Sequence, residues 1–110
     1  MSTITQRISD TLRREATKAT MRMFTAPEEA AALHAASNTL CVAAMAVAGV
    51  PTIVSPGIAL QSCLNGMAAR VRVHISHAMN ATDSEAAQVA LGQAAGYAVA
   101  VEAIQEALAS

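Results

Sequence analysis

No aspartate, glutamate, lysine or arginine occurs from Ala30 to Ala69, a run of forty residues in a chain of 110. An ordinary surface helix in a small helical protein carries a charged outer face, and a chain this short buries only about two-thirds of its unfolded surface by itself. Three surroundings suit such a run: other copies of the protein, a bilayer, or water tolerated by a mildly polar, alanine-rich surface. Residues 30–50 approach the roughly 20 residues needed to span a membrane. Against a span, His34, Ser37, Asn38 and Thr39 interrupt the stretch, and the link from Pro51 to Pro56 is too short for a clear second span and loop. Self-association is therefore the expectation.

Composition sets the class. The chain is 54% apolar and 14% charged, far from the disordered range. Its 27 alanines, the strongest helix formers, point to an all-α fold. With only Phe24 and Tyr97 as aromatic residues, it has no set of rings on which bases or sugars would stack, and composition argues against an aromatic-cored sandwich or small barrel. A net charge of −1 rules out a general polycation, so nucleic-acid binding would need a local patch. Cys41 and Cys63 are too few for a disulfide framework and lack the close pairs of a zinc ribbon or redox motif. No short apolar segment of the secretory kind precedes Asp10, which predicts a reducing, cytoplasmic setting.

Punctuation divides the chain into helices over 3–24, 27–48, 56–79 and 83–109. Thr25 and Glu28 have capping-box spacing before the second, and Thr82 and Glu85 repeat it before the fourth. Gly49 and Pro51 should end the second helix, the glycine in a left-handed conformation. Ser55 followed by Pro56 reads as a cap and first helical residue for the third. Short connections favour antiparallel neighbours, predicting one helical domain that is an antiparallel four-helix bundle-like, self-associating fold. Its parts would be a basic amphipathic helix, an uncharged helical hairpin over 27–79 and a C-terminal helix. Within the hairpin, Val71, Val73 and Ile75 alternate with Arg70, Arg72 and His74 as in a strand. The longer helical spacing of Leu60, Leu64, Met67, Val71, Ile75 and Ala78 outweighs that pattern.

Packing or assembly is expected to use Leu33, Leu40, Val47, Leu60 and Leu64. The fourth helix offers two faces. Ala90, Ala94, Tyr97, Val101, Ile104 and Leu108 form one, and Val89, Gly92, Gly96, Ala103 and Ala107 the other. Gly92 and Gly96 have the spacing that allows close helix crossing, and join the expected oligomer interface.

Five of the seven basic residues precede residue 25. On a helix Arg7, Arg14, Lys18 and Arg22 share one face and Ile8, Leu12, Ala16, Ala19 and Met23 another, so one stripe docks and the other projects cations. This points to an acidic protein partner, bound by a small adaptor, regulator or inhibitor. Arg70, Arg72, His74 and His77 form a second group suited to anion binding, with Cys63 upstream on nearly the same flank. That group supports an alternative reading, a binding module for nucleic acid, a nucleotide or another phosphorylated ligand. A structural subunit whose only partner is itself is the third.

Catalytic signatures are missing: there is no glycine-rich phosphate loop, GxSxG, HExxH or CxxC. Zinc would want three or four convergent ligands, and the Arg70 cation opposes another cation beside it. The carboxylates Glu28, Glu29, Glu85, Glu102 and Glu106 suit caps and exposed arcs. The cysteines suit small apolar filling. No catalytic residue, metal or cofactor is expected.

Overall fold

The computed structural model describes residues 3–51 and 56–109. Among them are four helices and no strand: α1 (Ile4–Arg22), α2 (Ala30–Ala48), α3 (Pro56–Met79) and α4 (Ser84–Ala109), with a 3-10 turn at Pro27–Glu29 before α2. The alternating segment at Arg70–Ile75 lies within α3, as the longer periodicity required.

The caps differ from the expected ones in instructive ways. Thr3 opens α1, its hydroxyl accepting a hydrogen bond from Gln6 N at 3.1 Å. Thr25 does not cap α2. Its hydroxyl donates to the Arg22 carbonyl at 3.2 Å, serving an orphan acceptor at the end of α1 instead. The next turn is then the 3-10 piece begun by Pro27, and α2 starts at Ala30 without a side-chain cap. At α4 the cap moves one residue, with the Asp83 carboxylate rather than Thr82 accepting from Ala86 N at 2.7 Å. An ionised acceptor at a helix start makes the stronger bond. Gly49 keeps a right-handed φ of −85°, so Pro51, which cannot continue the ladder, is what stops α2. The Ser55 cap lies outside the described residues.

The helices α1 and α2 run antiparallel. The buried Ser9 hydroxyl donates to the Ala44 carbonyl at 3.0 Å, and Ser37 reaches the Ala16 carbonyl at 3.1 Å. Ile8, Leu12 and Ala16 are buried and Ala19 and Met23 half-buried, so the apolar stripe of α1 docks as its spacing dictates. Fully burying a side chain such as Leu12 contributes about 2 kcal/mol.

The expected α2–α3 hairpin is not a packed unit. Those two helices barely meet, because α4 stands between them, packed on α2 along one side and on α3 along the other. Gly92 faces Ala32, and Gly96 faces Ala36 and Thr39, so α4 runs parallel to α2. The physical reason lies in α4, whose glycine-bearing face takes α2 and whose Tyr97 face takes α3, while α2 spends its other packed side on α1. The result is 45 × 28 × 20 Å, flatter than a ring of four mutually antiparallel helices.

The charge-free run is thereby half covered by its own chain. Leu40, Ala43, Ala44, Val47, Leu60, Leu64 and Met67 join Ile8, Leu12, Ala100 and Ile104 in one core. The outer face of α2 remains open, with Cys41 exposed rather than filling the interior, Val42 52% exposed and Met45 67% exposed. The stretch Pro27–Ala48 is long and apolar enough to cross a membrane by composition, and here one of its faces is packed within the protein.

Candidate functional site

Two groups of side chains carry charge or titratable chemistry, and they lie on different helices. The first is the basic stripe of α1. Arg7, Arg14, Lys18 and Arg22 are all exposed. Helical spacing puts them away from the centre of the docked stripe, roughly 80° or more around the helix, so docking on α2 leaves them in solvent. Lys18 pairs with Glu15 at 3.2 Å and Arg22 with Glu29 at 3.6 Å, both exposed pairs of small energetic value. Arg14 donates to the Thr11 hydroxyl at 3.2 Å, and Arg7 forms no ion pair among the described residues.

The stripe borders a feature the sequence did not reveal. Although α1 packs closely on α2, and α2 on α4, the helices α1 and α4 touch only sparsely. Three clefts of about 330, 250 and 270 Å³ lie along this seam. The first and second share Glu15 and Val99, and the second and third share Thr11, Ala103 and Glu106, so together they form one groove. Arg7, Lys18 and Arg22 line the α1 side, and Glu102 and Glu106 the α4 side. Leu33, Ala36 and Leu40 of α2 line one end. Finding this groove from sequence requires knowing that α4 returns beside α1.

The second group sits where α3 packs on α4. The His74 ring stacks on Tyr97 with centroids 5.6 Å apart and 12° between planes. His77 meets His74 edge-on at 5.8 Å, and the Arg70 guanidinium lies 5.6 Å from the Tyr97 ring centre. Arg70 and His77 are exposed and His74 is half-buried, while Arg72, two residues on from Arg70, is exposed on the far side of α3 and does not join them. The Nδ1 of His74 is buried without a hydrogen-bond partner. Desolvation holds the His74 pKa below the ordinary histidine value, with His77 and Arg70 adding to the effect. The imidazole that was to bind anions thus resists the charge such binding would use.

Tyr97 is the member of this group that sequence reading missed. The available signal was its position as the sole ring on α4, which a short turn folds back along α3. Cys63 is half-buried. Burial pushes its thiol up, and the opposing pull of Arg70 is the smaller influence, so it stays protonated rather than nucleophilic. Among the described residues no three histidine, cysteine, aspartate or glutamate side chains are grouped to hold a metal ion.

The residues expected at an oligomer interface are differently placed. Leu40, Val47, Leu60, Leu64, Gly92 and Gly96 are buried inside one chain, and Leu33 is half-buried. Leu40, Val47, Leu60 and Leu64 belong to the core and Gly92 and Gly96 to the α2–α4 crossing, while Leu33 lines one end of the α1–α4 groove. Small and branched apolar residues at helical spacing look alike whether the neighbouring helix belongs to the same chain or another. Comparison with protein-family models, with curated proteins and with solved structures finds no match.

Proposed function

We propose that the protein is a small, non-enzymatic helical interaction protein of the cytoplasm, which self-associates and engages an acidic protein surface through α1. The observation that carries this reading is the stripe of Arg7, Arg14, Lys18 and Arg22, every member exposed while the apolar stripe of the same helix is docked. A cationic ridge on a rigid helix attracts an acidic surface and fixes its orientation more than it supplies affinity. An adaptor, regulator or inhibitor works in this way.

The test is capture of partners by the purified protein after nuclease treatment, beside a variant carrying Arg14→Glu and Lys18→Glu. An acidic protein held by the natural chain and released by the variant is the expected result. Retention of every partner by the variant overturns the reading. A second reading, a nucleic-acid or phosphorylated-ligand module, is supported by the exposure of Arg70, Arg72 and His77 on α3, with Arg70 against the Tyr97 ring. It predicts co-purifying nucleotides or a nuclease-sensitive partner, lost on Arg70→Glu and Arg72→Glu.

A further inference from the structure

We infer that the α1–α4 seam is a two-fold interface with a second copy of this chain, in which each α1 faces the partner's α4. The inference deepens the reading of α1 as a helix that meets an acidic surface, and rests on it; the acidic surface is supplied by the protein itself.

Three observations converge on the seam. It is open along its length, with α1 and α4 only sparsely in contact. From Ile4 to Arg22 it extends roughly 27 Å at 1.5 Å per residue, the length of a substantial helix contact. Its rims differ in charge. Arg7, Lys18 and Arg22 stand on the α1 side, with Arg14 just outside, against Glu15 alone. The α4 rim carries Glu102 and Glu106 and no cation.

Lys18 and Arg22 have exposed partners in Glu15 and Glu29, but the other rim charges are not consumed within one chain. Arg7 and Glu106 line the same end of the groove, yet neither they nor Glu102 form an ion pair among the described residues. The outward sides of two such seams complement each other in one orientation. A two-fold axis running along the seam sets α1 over the partner's α4 while keeping each residue at its own level. Arg7, level with Glu106 in its own chain, then stands opposite the partner's Glu106, and the contact occurs twice. A two-fold axis across the seam would instead set α1 over α1 and bring the basic stripes together, which like-charge repulsion opposes. Covering Val99, Ala95 and Ala103 supplies the apolar part of the contact, while the charges choose the orientation.

The experiment is solution mass by sedimentation, read at ionic strengths of about 0.05 and about 0.5 M, across which screening of exposed charges rises steeply. The natural chain should be a dimer that weakens with salt. Arg7→Glu with Arg14→Glu should weaken it about tenfold or more, as should Glu102→Arg with Glu106→Arg. Mixing these two variants should restore a mixed dimer, which also shows that both fold. A monomeric natural chain, a dimer indifferent to both reversals, or a mixture that does not pair overturns the inference. The broader reading of α1 fails separately, when the partners captured by the natural chain stay bound to the Arg14→Glu and Lys18→Glu variant.

Discussion

The helix α4 meets α2 and α1 in opposite ways. Toward α2 it presents Gly92 and Gly96, and the approach is so close that a β-carbon on Gly92 would overlap the Ala32 carbonyl. One on Gly96 would lie 2.8 Å from Thr39 Cβ. Toward α1 it presents Val99, Ala103, Glu102 and Glu106, and the helices stand apart over a groove. Glycine specifies backbone contact, while carboxylates at the margin, which keep their hydration, leave the other side open. One helix therefore builds a sealed joint and an unsealed one.

The largest way to break this contrast is Gly92→Leu. The side chain has no room at the backbone of α2, and overpacking should cost about 3 kcal/mol, read as a lower urea midpoint. Gly96→Leu should act in the same sense. Because Gly96 is buried against α2, the loss appears in the melting curve of a dilute sample rather than only in solution mass. Gly66, on the exposed side of α3, is the control, with nothing within 4 Å of an added β-carbon. Gly66→Ala should raise stability by up to about 1 kcal/mol through helix propensity and a less flexible unfolded chain.

A pH titration compares the sealed α3–α4 joint with the open seam. The unfolded chain takes up a proton at His74 near the ordinary value of about 6.5, while the folded chain resists it. Between that value and the lower folded one the unfolded state binds more protons, so stability falls as pH falls. Melting temperature should be steady above about pH 7 and decline below about 6.5, less steeply in His74→Phe, which keeps a ring against Tyr97. The smallest effect belongs to the seam. Glu102→Arg with Glu106→Arg should change the stability of a dilute, dissociated chain by no more than about 0.5 kcal/mol, because both positions are exposed.

The contrast also marks how far the sequence could be read. The segregation of Ile8, Leu12 and Ala16 from Arg7, Arg14, Lys18 and Arg22 along α1 was legible, because helical period alone sorts a strongly amphipathic segment. The two faces of α4 were legible for the same reason, and each does carry a neighbour. The identity of those neighbours was not. Leu40, Val47, Leu60 and Leu64 read equally as packing within the chain or assembly between copies, and the structure has them in one chain's core. Thr25 read as the cap of α2 and serves the carbonyl of Arg22, since a hydroxyl between two helices suits either end.

The sequence by itself determined the helices, their approximate limits and the faces that α1 and α4 would bury, because these follow from propensity and a period of 3.6 residues. Only the tertiary structure decided that α4 inserts between α2 and α3, stacks Tyr97 on His74 and leaves an open groove beside the basic stripe. Hydrophobic burial is non-directional and identifies a face without naming its neighbour. The choice of neighbour rests on how closely two particular backbones can approach, here at Gly92 and Gly96.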